Sequence, residues 1–187
     1  FMSMIGHNLL NQIILRTKIT VPGEILKNLN NNLKVAFRQS DTTKTNDGMD
    51  IALCCITDNK ILEYAGAQRA LWLVRKGELI DTRGNPTPIG GITEENFEYT
   101  THQFEIFKND SFYSSSDGFQ DQFGGPKGKK FMTKRLKEIL VQMQPLPMKD
   151  QGAHLEENRR EWMRGGSNNN FQVYEQVDDV LVIGVRF

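Results

Sequence analysis

The chain has 187 residues, of which 38% are hydrophobic and 25% are charged, so it is long and apolar enough to fold and is not a disordered tail. Lys and Arg together number 23, as do Asp and Glu, and this neutral balance argues against nucleic acid as the main partner. No apolar run approaches the ~20 residues of a membrane span, so we expect no membrane contact by this domain.

The first part of the chain predicts two helices. In "FMSMIGHNLLNQIIL", apolar residues recur at steps of three and four without a capping residue before them, so we expect the sequence to be cut from a longer protein. A second helix has Pro22 in its first turn and an apolar face. The apolar positions of the two helices are Phe1, Met4, Ile5, Leu9 and Ile13, then Ile25, Leu29, Leu33 and Phe37.

From Met49 onward the spacing of the apolar residues changes to that of β-strands. "MDIALCCIT" and "KILEYAGA" predict a hairpin that turns at Asp58-Asn59, and "RALWLVRKGELIDT" predicts another at Lys76-Gly77. Two more strands are expected around Asn109-Asp110, after a loop over 84–100. The adjacent Cys54 and Cys55 are expected to be buried, reduced and on opposite faces, which suits a cytoplasmic protein and argues against a shared metal.

The last third predicts two helices, about 131–143 and 150–163, which the Pro-rich "QPLPM" keeps apart. After a Gly/Asn-rich loop at 165–170, an apolar strand over 180–186 closes the chain, and we expect it to be buried on at least one face. Helices, a long antiparallel meander, helices and a final strand make an α+β protein. We expect residues 1–187 to form one domain.

Three acidic residues stand at predicted strand ends. Asp117 follows the strand over 111–116, while Asp178 and Asp179 directly precede the last strand. Carboxylates at strand ends can meet at one rim of a sheet, where hard divalent cations are bound. The alternative is that all three are turn or cap residues, since Asp-Gly is a common turn dipeptide. Local chemistry leaves both interpretations open.

The order of several segments along the chain is more specific. The segments, in order, are "FMSMIGHNLLNQII", "DGMDIALCCI", "EYAGAQRALWLVRKGEL", "PIGG", "DSFYSSSDGFQDQFGG", "KGKKF" and "QVDDVLVIGVRF". Together they resemble the metal-dependent protein phosphatase (PPM) family, in particular its bacterial SpoIIE- and RsbU-type serine phosphatases. The resemblance implies a sandwich of antiparallel β-sheets flanked by helices, with a site for two Mn²⁺ or Mg²⁺ ions at one edge.

In such a site the two ions activate a water that attacks phosphoserine or phosphothreonine directly. Asp117 aligns with the metal-binding Asp of the family's Asp-Gly motif, and Asp178 aligns with the ligand position of its Asp-Asp/Asn motif. Asp179 ranks third, as a residue that shapes the turn or binds a ligand water. The implied partner is a phosphorylated regulatory protein of the anti-sigma-factor-antagonist type. The domain would be the output end of a larger sensor protein, which could be membrane-bound.

One family motif is missing. The Asp-containing segment that ends in Gly-His-Gly and bridges both metals should lie just before "FMSMIG", and it is absent from this sequence. His7 lies inside the predicted helix and is not a substitute. We therefore expect the phosphatase activity of this polypeptide alone to be impaired or absent. The alternative is a non-catalytic domain that binds a phosphoprotein with the same fold.

Cationic residues supply the candidate substrate-binding positions. Lys127, Lys129 and Lys130 begin "PKGKKFMTKRLK", which has six basic residues, and they are candidates for docking a phosphorylated or acidic partner. The alternative is a solvated helix face. Arg69 could clamp a substrate phosphate or form a structural ion pair. Asp121 could orient a metal-bound water or stabilise its loop. Sheet edges left open could also pair two copies into a homodimer.

Overall fold

The computed structural model describes residues 2–39, 48–57, 60–165 and 173–187, with only the backbone at 38–39. The expectations for Phe1, for the turn at Asp58-Asn59 and for most of the loop at 165–170 lie outside the described residues. The helices are α1 (Met2–Thr17), α2 (Pro22–Gln39), α3 (Gly118–Asp121), α4 (Thr133–Gln142) and α5 (Met148–Met163).

The strands are short and their pairings are antiparallel. They are β1 (Gly48–Met49), β2 (Ile51–Thr57), β3 (Ile61–Ala67), β4 (Leu71–Arg75), β5 (Glu78–Thr82), β6 (Ile89–Gly90), β7 (His102–Glu105), β8 (Ser111–Ser115), β9 (Phe123–Gly124), β10 (Lys129–Lys130) and β11 (Val182–Arg186). This mixture of helices and antiparallel sheets confirms the predicted α+β class.

The chain divides into two compact units, of which the first comprises Phe1–Leu71 and Thr82–Phe107. It holds a three-stranded sheet in the order β2-β3-β7 and the short pair β1-β6. The apolar face predicted for the second helix is buried here, because α2 packs on the sheet. The core of this unit consists of Ile13, Ile25, Leu26, Leu29, Leu33, Ala65, Ala67, Ile89 and Tyr99.

The second unit comprises Trp72–Asp81 and Lys108–Phe187, and its sheet has the order β11-β8-β4-β5. β11 runs antiparallel to β8 over its full length, from Val182 opposite Ser115 to Arg186 opposite Ser111. The predicted turn at Lys76-Gly77 is present between β4 and β5. Both residues have positive φ, 50° and 81°, as the tightest hairpin turns require.

The strands of the meander are divided between sheets: β7 and β8 are neighbours in sequence but belong to different sheets. Two expectations about burial are not met. Cys54 is exposed and Cys55 is half-buried, because β2 is an outer strand of its sheet. The last strand is less buried than expected, since β11 is also an outer strand: Ile183 is 56% exposed on one face, and Val182 and Arg186 on the other are only half-buried.

In the described part of the chain, no helix is long and apolar enough to cross a membrane.

Candidate functional site

The two acidic dipeptides lie side by side. The β8–β11 ladder continues one step beyond the strands, because the Ser116 amide donates to the Leu181 carbonyl at 2.9 Å. The two segments also lie close together at Gly118. If this residue carried a Cβ atom, that atom would stand 2.3 Å from the Asp179 carbonyl oxygen. Asp117-Gly118 therefore runs against the backbone of Asp178-Asp179, and only a residue without a side chain fits at position 118.

The hydroxyl of Ser116 fastens this contact. It donates to the Asp179 carbonyl at 3.0 Å and accepts a hydrogen bond from the Leu181 amide at 3.0 Å. Sequence reasoning missed Ser116, since its hydrogen-bond partners lie far away in the chain. Its position directly before Asp117 is the only signal that could have drawn attention to it.

The side chain of Asp117 does not cap the helix that it precedes. Asp117 is half-buried, and its backbone carbonyl accepts from the Asp121 amide at 2.9 Å, but its carboxylate makes no capping hydrogen bond to α3. The interpretation of Asp117 as a helix cap therefore lacks the bond that defines a cap.

The carboxylate of Asp178 is partly used by its own loop. Its Oδ1 atom accepts a hydrogen bond from the Asp179 amide at 2.7 Å, so Asp178, rather than Asp179, shapes this turn through its side chain. Both residues are exposed. The second oxygen of Asp178 has no hydrogen bond that competes with a ligand among the described residues.

These residues fit a hard divalent cation in part. Carboxylate oxygens are the donors that Mn²⁺ and Mg²⁺ take, and the close backbone contact at Gly118 brings two such residues to one edge of a sheet. Over the described ranges, however, no group of three or more His, Cys, Asp or Glu side chains is close enough to hold a metal. The chain supplies the acidic pair, and the described part does not complete a cage.

The segment that leads into Asp178 is tied to α5. The Gln176 amide donates to the Asp178 carbonyl at 2.9 Å, and its side-chain oxygen accepts from Arg159 at 3.2 Å. Arg159 is itself held by both carboxylate oxygens of Glu156, each at 3.0 Å. This chain of hydrogen bonds positions the Asp178 backbone, and neither Gln176 nor Arg159 was selected from the sequence.

The predicted docking lysines lie in the same unit as the acidic pair. Lys127, Lys129 and Lys130 are exposed and precede α4, so they are not part of a helix face. Lys130 pairs with Asp121 at 2.9 Å, which gives Asp121 the loop-stabilising role that was one of its two expectations.

Arg69 belongs to the other compact unit. Its guanidinium lies 3.0 Å from the Asp50 carboxylate, which is the structural ion pair that the sequence left as the alternative. Clamping of a substrate phosphate by Arg69 stays a prediction, as do the roles of the three lysines.

Comparison with known proteins gives one family and one fold. The sequence model of the family described as Stage II sporulation protein E (SpoIIE) matches residues 1–187. No curated protein matches.

Solved structures are similar at low identity. The SiaA-PP2C domain of Pseudomonas aeruginosa has 23% identity and a TM-score of 0.80, with 100% of this chain and 69% of that one covered. The phosphatase domain of the cell fate determinant SpoIIE from Bacillus subtilis has 19% identity and a TM-score of 0.56, covering 96% and 70%. The serine/threonine phosphatase PstP/Ppp of Mycobacterium tuberculosis has 15% identity and a TM-score of 0.56, covering 83% and 75%. These likenesses show the PP2C-type phosphatase fold.

Proposed function

Because this chain belongs to the Stage II sporulation protein E (SpoIIE) family, we propose that it is a metal-dependent protein serine/threonine phosphatase domain that removes phosphate from phosphoserine on a regulatory protein. The observation that carries the proposal is the contact of Asp117-Gly118 with Asp178-Asp179, where a Cβ on Gly118 would stand 2.3 Å from a backbone oxygen. This contact keeps the two acidic dipeptides side by side, which supports a joint role for them.

In this proposal Asp117 and Asp178 hold Mn²⁺ or Mg²⁺, and Asp179 has the weaker claim. When bound, a metal pair supplies an acidified water and neutralises charge on the phosphoryl oxygens. The protein's own contribution is orientation. Ser116 fixes the spacing of the two strands, and Gln176 fixes the backbone of Asp178.

The phosphoprotein partner would meet the cationic loop that follows α3. Lys127, Lys129 and Lys130 are exposed there, and lysine is a common point charge for phosphate groups. Lys130 shares its charge with Asp121, so Lys127 and Lys129 have the stronger claim to a substrate contact.

The metal ligands are tested by titrating Mn²⁺ into the chain by calorimetry. Asp117→Asn and Asp178→Asn keep the size of the side chain and remove its charge, so each should weaken Mn²⁺ binding by about tenfold or more, which is the scale of losing one charged ligand. Asp150→Asn is the matched control, because Asp150 is an exposed acid in the first turn of α5. Unchanged Mn²⁺ affinity in both site variants would refute the assignment.

Activity is tested separately on the full-length protein that contains this chain. With Mn²⁺, it should hydrolyse a phosphoserine protein and a generic aryl phosphate, and the two Asn variants should abolish both reactions.

A second candidate function is a non-catalytic domain that binds a phosphoprotein with the same fold. It is favoured by the lack of a cluster of three metal-ligating side chains over the described residues. Mn²⁺ binding that depends on Asp117 and Asp178 argues for the phosphatase. Phosphoprotein binding without any Mn²⁺ binding or hydrolysis by the full-length protein argues for the second candidate.

A further inference from the structure

A groove of about 540 Å³ lies beside α4 and α5 in the second unit. Aromatic and aliphatic side chains line it, and four cations surround them. Among the described residues that line it, Glu138 is the one acid, so the excess charge is positive. The cations are Lys129, Lys130, Lys134 and Arg135.

Arg135 lies over the aromatic wall of the groove. Its guanidinium carbon lies 4.5 Å from the centre of the Trp162 ring and 5.2 Å from that of Phe131. A cation–π contact of this kind holds a guanidinium in place while its N–H groups can still bind a carboxylate. Within the described part of the chain, no carboxylate lies at ion-pair distance from Arg135.

Trp162 is held in place by a hydrogen bond and by close packing. Its indole nitrogen donates to the Gln122 carbonyl at 3.1 Å, and its ring packs edge-on against Phe131 with centres 5.4 Å apart. Gly124 and Gly125 lie against the same residue, so closely that a Cβ on either would collide with Trp162. The aromatic wall is therefore a rigid support, which lowers the ordering cost of binding at Arg135.

The lining of the groove packs against the segment that contains Asp117. Phe131, which lines the groove, packs edge-on against Phe119 with ring centres 5.1 Å apart. Phe119 is the second residue after Asp117. The groove and the residues proposed to hold the metal therefore lie in the same packed part of the second unit.

From this geometry we propose that the groove binds an acidic segment of the phosphoprotein substrate, close to its phosphorylated serine. The inference rests on the proposed function and adds to it a substrate class, namely a phosphoserine with Asp or Glu residues nearby. Charge complementarity carries it: the lining has four cations and one acid, and over the described ranges Lys130 is the one lining cation that pairs with an acid outside the lining. Arg135 is the central contact.

The test compares two short peptides that differ only in flanking charge. One carries phosphoserine between glutamates, and the other carries phosphoserine between glutamines. Binding is followed by calorimetry and by tryptophan emission, since Trp162 lines the groove while the second of the two tryptophans, Trp72, is buried. The glutamate peptide should bind about tenfold more tightly, because two or three exposed charge pairs contribute up to about fivefold each.

Variants locate the binding site. Arg135→Gln should remove most of the preference for the glutamate peptide, and Arg135→Lys should remove part of it, because lysine keeps the charge but not the planar group. Lys134→Gln should lower the preference by about fivefold or less. Lys149→Gln is the control, because Lys149 is an exposed lysine of α5 outside the groove, and it should leave the preference unchanged.

Equal affinity for the two peptides, or a preference that survives Arg135→Gln in a variant with normal thermal unfolding, would overturn the inference. A short RNA that binds as tightly as the glutamate peptide, and loses binding in the same variant, would also overturn it and assign the groove to nucleic acid.

The two proposals fail in different ways. If the full-length protein hydrolyses phosphoserine with Mn²⁺ but does not distinguish the peptides, the groove inference alone is wrong. If the peptides are distinguished through Arg135 but no Mn²⁺ binds and no hydrolysis occurs, the phosphatase proposal alone is wrong, and the groove belongs to a phosphoprotein-binding domain.

Discussion

Gly118→Ala adds one methyl group at the contact between the two acidic dipeptides. The new Cβ would stand 2.3 Å from the Asp179 carbonyl oxygen, 2.9 Å from its carbonyl carbon and 3.3 Å from the carbonyl carbon of Asp178. Ordinary contact begins at 3.4 Å, so the Asp179 carbonyl has to retreat by roughly 1 Å. All three atoms belong to the backbone, so no side chain can rotate away to relieve the clash.

Two effects decide the size of the change. Overpacking of this kind costs about 1–3 kcal/mol, whereas the helix propensity of alanine returns up to about 1 kcal/mol at a helical position. Gly118 is the first residue of the four-residue helix α3, so the return is small. We expect the free energy of unfolding to fall by about 1–2 kcal/mol.

Metal binding should suffer more than stability does. A carboxylate ligand has to lie within about 0.2 Å of its proper distance from the ion, and we expect a displacement of the Asp179 carbonyl to carry the adjoining Asp178 beyond that tolerance. Mn²⁺ affinity should therefore drop by about tenfold or more, although both ligands are still present.

The assay is urea unfolding together with Mn²⁺ calorimetry, with Gly152→Ala as the matched control. Gly152 is also helical, but a Cβ at that position meets no atom within 4 Å. This control should be more stable by about 0.5–1 kcal/mol and bind Mn²⁺ normally. If Gly118→Ala is as stable as the control, or binds Mn²⁺ with wild-type affinity, the close contact does not constrain the acidic pair and the reasoning fails.

Two further changes test the support around the site and the core. Gln176→Ala removes the bond to the Asp178 carbonyl, and Mn²⁺ affinity should fall about three- to tenfold with little loss of stability; an unchanged affinity would show that Gln176 does not position Asp178. Asp110→Ala removes the carboxylate that pairs with Arg75, and the Asp110 side chain is only 2% exposed. The free energy of unfolding, measured by heat or urea, should fall by about 3–5 kcal/mol. A fall of less than about 1 kcal/mol would contradict this prediction.

Local signals in the sequence predicted most helices and hairpins. Pro22 and the apolar spacing that follows it define α2, and Lys76-Gly77 defines a tight turn, because each signal depends only on neighbouring residues. The helix α3 and the strands β9 and β10 were not predicted, since elements of two to four residues are too short to show a period.

Strand partnership could not be predicted from the sequence. β7 and β8 look like the two arms of a hairpin, yet Tyr64 pairs with His102 in one sheet and Trp72 pairs with Tyr113 in the other. The same limit explains the wrong expectation for Cys54, because an apolar run does not reveal whether its strand will be an outer one.

The candidate site was predictable only as a list of acids. Asp117 and Asp178 were chosen because each stands at a strand end, and the resemblance to a phosphatase family gave them a role. The hydrogen bonds that position these acids could not be predicted from the sequence, because the bond from Ser116 to Asp179 joins residues 63 positions apart. Arg135 was part of a recognised basic run, but only the fold brings it onto Trp162.

The outer position of β11 has a practical consequence for handling the protein. Leu181, directly before this strand, and Ile183 and Val185 within it are all substantially exposed, so a second copy can pair with the outer edge and place its own apolar side chains beside them. The net charge is zero at pH 7, so no long-range repulsion keeps two molecules apart there. Solubility should therefore pass through a minimum near neutral pH, and storage one or two pH units away should keep the protein dispersed.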